Sequence, residues 1–269
     1  MTTRASNEAD SYSFPEGLQE LPQGTIDFHT HIDTAPDFGW DDPVSKLIPL
    51  LDEANIARAV VMTYRDASPT DPSALEYMAE AIASAPDRLV GFARLRPRDD
   101  VDSVHLLERA VTEFGMSGLK LHPVSTFQHP EGAATVRLAS AAAEMSLPIL
   151  FHCGDENLST PLAIELLAKK VPTAKIILGH MGGFFHVEEA IRVAERNPNI
   201  LLETSATPYP DRISEAVRRI GPERVLYGSD APGAPPRLEV RKILVAGLTP
   251  DEQYRVLRGN AHELLGGSK

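Results

Sequence analysis

The chain has 269 residues, 42% of them apolar and 24% charged, with a formal net charge of -12. That length suits one barrel-sized domain with a sizeable core. The negative charge repels phosphate backbones and anionic headgroups, so nucleic acid and membrane surfaces give way to a small molecule as the expected partner. A single cysteine, Cys153, excludes an internal disulfide framework and fits a reducing cytoplasm.

Residues 1–23 open the chain as a polar, acidic tail or arm with no apolar core, unlike a signal peptide and suited to lie over a second copy in a homo-oligomer. From residue 24 to 269 the sequence reads as one α/β domain. Eight short β-rich runs follow in order: "GTIDFH", "ARAVVMT", "RLVGFAR", "SGLKLHP", "LPILFHC", "AKIILGH", "NILLET" and "RVLYGSD". Their centres lie 24 to 33 residues apart, the length of one strand–loop–helix–loop unit. The segments between them carry helical apolar spacing, as in Val101, Val104, Leu107, Ala110 and Val111, or Leu162, Ile164, Leu166 and Leu167. Eight such units predict a (β/α)8 TIM barrel, followed by extra C-terminal helices over 236–246, 250–258 and 260–265.

In such a barrel, side chains alternate between interior and helix layer, and sites form at the C-terminal strand ends. Alternation on strand one sets Asp27, His29 and His31 in one phase against Ile26, Phe28 and Thr30, and the first set is taken as interior. The His-x-His step returns the second ring to the same face about 6.5 Å along. Strand four ends with Gly118, Lys120 and His122 in one phase, and strands five, six and eight end at His152, His180 and Asp230. Imidazoles and a carboxylate converging at one rim form a ligand set for a divalent metal, zinc first, with manganese and iron suiting the same donors.

These stretches, "DFHTH", "GLKLHP", "FHCG", "GHMGG" and "YGSDAP", with "GNAHELL" near the end, resemble the metal-dependent amidohydrolase superfamily over residues 24–265. The branch they look most like is the second amidohydrolase-related group, whose members include hydrolases, lactonases, hydratases and nonoxidative decarboxylases. The resemblance implies His29, His31, His152 and Asp230 around one metal, with His180 as a ligand of a second metal or as acid, base or electrophile. It also implies that Lys120, if carboxylated, bridges two ions; the interior phase of Lys120 leans toward that binuclear version over a single ion.

The expected activity is hydrolysis of an ester, lactone, amide or thioester by metal-activated water, with Asp230 moving the proton and His180 aiding the oxyanion. The alternative is nonoxidative decarboxylation of an aromatic or unsaturated acid with one metal; a non-catalytic metal-binding barrel is a third reading. Arg65, Arg94, His122 and Trp40 are the expected substrate contacts, joined by Arg96, Phe38, Phe184 and Phe185. Duller roles are expected elsewhere: Asp27 orients a neighbour, Cys153 is an inert buried thiol, His186 caps the start of a helix, and His105, His129 and His262 are surface residues. Lys120 has a duller option too, a salt bridge to Glu203 or Asp230.

Overall fold

The computed structural model describes residues 20–98 and 102–266. The described residues form ten strands: β1 (Thr25–His31), β2 (Asp33–Ala35), β3 (Trp40–Asp42), β4 (Ile56–Met62), β5 (Leu89–Arg94), β6 (Gly118–Leu121), β7 (Ile149–His152), β8 (Ile176–Gly179), β9 (Ile200–Glu203) and β10 (Val225–Leu226). Strands β2 and β3 form a small antiparallel hairpin, and the other eight form one parallel sheet in the order β1-β4-β5-β6-β7-β8-β9-β10. Helices intervene between successive strands of that parallel sheet, which makes this the expected TIM barrel.

Closure is made not by β10 itself but by the chain just beyond it. Phe28 N–H donates to Tyr227 O at 3.0 Å, Asp230 N–H to His29 O at 2.7 Å, and His31 N–H to Ala231 O at 2.7 Å. The closing seam therefore runs through His29, His31 and Asp230.

Two apolar layers follow from strand alternation. Ile26, Phe28, Val60, Phe92, Leu150, Ile177, Leu201 and Leu226 fill the barrel, while Ala59, Val61, Leu119, Ile149, Phe151, Leu178 and Leu202 join the larger cluster shared with the helices. Phe28 and Phe92 meet edge to face inside, with centroids 5.5 Å apart. Gly118 makes room for that contact, since a Cβ there would overlap the Phe92 ring. At the other end of the barrel from the histidines, Ala261 completes the inner cluster with Leu264 and Leu265 packed against it.

Three expectations need correction. Ile26 and Phe28, not Asp27, take the interior phase at the start of β1; a β-bulge between Asp27 and Thr30 then shifts the register, so that Asp27 pairs with Ala59 but His31 with Met62. One inserted residue turns His29 inward next to an already inward Phe28. In the helix Pro161–Lys170, Leu162 and Leu166 are exposed, and the buried stripe is Ala163, Ile164, Leu167 and Ala168 together with Glu165, whose carboxylate takes Arg196 and Asn197. The last expected helices run on through a π turn at Arg255–Gly259 between Pro250–Tyr254 and Asn260–Leu264.

The tail reading of residues 1–19, like that of Val101, lies outside the described residues. Leu21 is already buried, and its carbonyl accepts from Asn55 Nδ2 at 2.9 Å. No helix among the described residues is long and apolar enough to cross a membrane.

Gly118→Ala should lower stability by about 1–3 kcal/mol through overpacking against Phe92. Urea unfolding is the check: the midpoint should fall while the slope is unchanged.

Candidate active site

The rim residues come from separate elements, and the backbone there is strained. His180 follows β8 at φ 62°, and Asp230, in the loop after β10, has φ 63°. Such left-handed values in non-glycine residues cost about 1–3 kcal/mol and persist only where the surroundings hold them. Here the seam bond from Asp230 N–H to His29 O holds one, and Thr207, donating its hydroxyl to His180 O at 2.8 Å, holds the other.

Glu203, fully buried at the end of β9, organises the histidines. Its Oε2 accepts from His29 Nδ1 at 2.8 Å, from the Ser205 hydroxyl at 2.8 Å and from His180 N–H at 3.3 Å. Because Ser205 gives its only hydroxyl hydrogen to Glu203, its oxygen accepts from His180 Nδ1 at 2.9 Å. This network assigns the proton of both rings to Nδ1 and leaves both Nε2 atoms as lone-pair donors. Burial pushes the Glu203 carboxyl up, against the opposing effect of His180 and the Ser205 bonds. Gly228 makes this possible, because a side chain there would collide with the Glu203 carboxylate.

One donor atom from each of His29, His31 and Asp230 lies within 4.8 Å of the other two. Asp230 Oδ1 stands 3.2 Å from His31 Nε2 and 3.7 Å from His29 Nε2. Two donors each about 2.1 Å from one tetrahedral ion would be about 3.4 Å apart, so these spacings fit a shared cation. The ring orientation fits too, since a metal-binding histidine ordinarily gives its other N–H to a carboxylate, as His29 does to Glu203.

Electrostatics favour the lone-pair forms. Burial lowers the pKa values of His29 and His31, and that of His180 to about 4. For Asp230 burial acts upward, but the His31 hydrogen bond and the rings of His29, His31 and His180 hold its carboxyl well below the usual range. Lys120 Nζ is 2.9 Å from His29 Nε2, and burial followed by the Arg94 charge pulls its pKa down to about 7.

The structure sorts the expected site residues. His29, His31, Arg94, Lys120, His122, His152, His180 and Asp230 line one cavity of about 200 Å³, together with Tyr64 and Gly233. His152 reaches the cavity but not the donor cluster: it stacks on His122 at 4.0 Å and sets Nε2 3.3 Å from Glu156 Oε2. Lys120 is bonded to His29 rather than paired with Glu203 or Asp230.

Arg65 is not a cavity residue, because its guanidinium is clamped to buried Asp33 at 2.9 Å. Arg96 is exposed, and Trp40 lies behind Tyr64, ring to ring at 5.1 Å. The side chain of Phe38 lies outside the described residues. Phe184 and Phe185 are both exposed, and Phe184 lines an adjoining chamber of about 210 Å³ that shares His152, His180 and Asp230.

Among the duller expectations, Asp27 accepts from His29 N–H at 3.2 Å and Ser229 N–H at 2.9 Å, pinning the two sides of the seam. Burial raises its pKa to about 8. Cys153 is buried, and burial raises its thiol. His186 stands at a helix start but does not cap it as expected: its ring pairs with Glu189 at 3.5 Å and makes no capping bond.

Sequence reasoning missed Tyr64, Ser205 and the central place of Glu203. Tyr64 stacks on His31 with ring planes 10° apart. The interior phase of Glu203 at the end of "NILLET" was a usable signal; nothing local marks Ser205 or Tyr64.

The family model described as amidohydrolase matches residues 26–267, and the chain belongs to that family. Among solved structures, an uncharacterised TIM-barrel protein from Bordetella bronchiseptica is 18% identical, with a TM-score of 0.76 over 91% of this chain and 99% of that one. A 5-carboxyvanillate decarboxylase from Sphingomonas paucimobilis is 15% identical, with a TM-score of 0.72 over 91% and 99%. A dihydroxybenzoic acid decarboxylase from Polaromonas sp., with bound manganese and 2-nitroresorcinol, is 18% identical, with a TM-score of 0.72 over 91% and 97%. No curated relative matches the chain in sequence.

Replacing Glu203 with Gln keeps the shape but disturbs the bonds that orient His29 and His180. The expected loss of manganese or zinc affinity is about 10- to 100-fold, read by competition with a metal-sensitive dye.

Proposed function

We propose that the chain is a metal-dependent, nonoxidative decarboxylase of a small aromatic or unsaturated carboxylic acid, working with one divalent ion. The observation that carries this reading is the pairing of unlike walls in one cavity: His29, His31 and Asp230 at the closing seam, and Arg94 with Lys120 on β5 and β6. The Arg94 fork meets a carboxylate with paired, charge-assisted hydrogen bonds, which the carbonyl of a neutral ester or amide takes only more weakly. The decarboxylases among similar folds support the same choice, and the manganese in one of them makes that ion the first to test.

The second possible cation group, His29, His180 and Glu203, already satisfies itself through the Glu203 hydrogen bonds, which favours one ion over a bridged pair. Lys120 then acts as an amine in contact with His29 rather than as a carboxylated bridge. When bound, the ion would hold the substrate's oxygens and stabilise charge as the carbon–carbon bond breaks. Asp230, ionised at rest, would first take a proton from solvent and then pass it to the carbon as carbon dioxide leaves, which returns it to the carboxylate. His180 keeps its Nε2 lone pair beside that step. The residues Arg94 and His122 meet the acid.

Hydrolysis of an ester, lactone, amide or thioester is the second reading, favoured by the low-lying Asp230 carboxyl, a base at neutral pH.

The manganese-loaded chain should release carbon dioxide from a panel of hydroxybenzoates, and chelation should abolish the release. Asp230→Asn should slow it by about 10²- to 10⁴-fold. Turnover of an ester or lactone panel with no carbon dioxide from any acid would decide for hydrolysis.

A further inference from the structure

The wall of the cavity opposite the closing seam carries an organisation of its own. Arg94 ends β5 and is paired with Lys120 of β6 in the parallel register, and His122 follows one residue after β6. All three line the cavity.

The Arg94 guanidinium is not loose. Its Nε donates to Asp66 Oδ1 at 2.9 Å, one terminal nitrogen donates to Ser125 Oγ at 3.1 Å, and the other to Thr63 O at 3.4 Å. These bonds use three of the five N–H groups of an arginine and leave two, among the described residues, for something in the cavity. Asp66 balances the Arg94 charge, and their ion pair fixes the plane of the fork.

Ser125 ties this fork to His122. Its hydroxyl donates to Asp66 Oδ2 at 2.9 Å while accepting from Arg94. Its backbone N–H donates to His122 Nδ1 at 3.3 Å. A ring whose Nδ1 accepts that hydrogen bond carries its own hydrogen on Nε2. Nε2–H has no partner among the described residues, so one serine sets both the arginine fork and the histidine donor.

We propose that Arg94, His122 and Lys120 form a carboxylate-binding subsite built into the β5–β6 wall, independent of any metal, with Ser125 and Asp66 as its positioning residues. The ligand class is a planar carboxylate, which takes the two remaining guanidinium N–H groups and the imidazole N–H together. This deepens the proposed function, on which it rests for its place in a reaction, by assigning recognition of the acid to the chain and not to the ion.

Benzoate is the probe, titrated calorimetrically into the full chain as purified and again after chelation. Wild-type protein should bind it in both states. Ser125→Ala should weaken binding about tenfold, Ser125→Thr should restore most of it, and Arg94→Gln should abolish it. Where a decarboxylated acid has been found, Ser125→Ala should raise KM with little change in kcat, a split that a merely structural role would not give.

Binding of benzoate unchanged by Ser125→Ala, or lost entirely on chelation, overturns the subsite. Metal-independent, Ser125-sensitive binding in a chain that releases no carbon dioxide would leave the subsite standing and remove the decarboxylase reading instead.

Discussion

The hydrogen bond between His29 Nδ1 and Glu203 Oε2, 2.8 Å long between two fully buried side chains, is the contact on which the rest of the site depends. In a water-free interior an unpaired carboxylate or imidazole is costly, so each partner is held by the need of the other. The bond does more than pair them. By fixing the hydrogen on Nδ1 it aims the His29 lone pair at the cavity, and through Ser205 the same carboxylate fixes His180. One acidic side chain at the end of β9 thereby orients donors from β1 and from the turn after β8.

Holding those donors in place is the work of the barrel's closure. The seam bonds join residues 28–31 directly to residues 227–231, so the metal-type donors of β1 and the carboxylate of Asp230 are held by the same backbone contacts that shut the sheet. A site built across the closing seam depends on closure being complete, and the pinning of both sides by Asp27 serves that end. The strained φ values of His180 and Asp230 belong to this economy: they are local costs that a closed, rigid sheet can carry.

The eight strands, their order of appearance and the convergence of histidines, Lys120 and Asp230 at one rim are legible because strand length, apolar runs and polar strand ends are local signals. The bulge in β1 is not. Alternation through "TIDFHTH" puts Asp27 on the face of the histidines, yet an inserted residue leaves Phe28 inside with Phe92 and brings His29 in beside it. The error covers Ile26, Asp27 and Phe28, while His29 and His31 fall on the expected face because the extra residue lies between Asp27 and Thr30. Arg65 and Arg94 look equivalent in sequence, each just beyond or at a strand end, and differ only because Asp33 sits under one and the cavity beside the other. Helix amphipathicity fails similarly at Glu165, which three-dimensional partners draw inward while Leu162 and Leu166 face solvent.

A common electrostatic logic joins the two walls. Burial keeps His29, His31, His122 and His180 neutral and lowers Lys120, so the cavity avoids the repulsion that several ammonium and imidazolium groups would otherwise bring to a space of about 200 Å³. The charges that remain are segregated: Asp230 lies with the lone pairs at the seam, and the Arg94 fork lies with the N–H donors on β5 and β6. A ligand bearing an anionic end therefore has one orientation in which both ends are matched. A cation arriving at the seam meets groups that are already deprotonated, so binding it displaces few protons. The reverse orientation would set a carboxylate against Asp230 and leave the Arg94 donors unmet. That penalty, more than any single attraction, gives the cavity a direction.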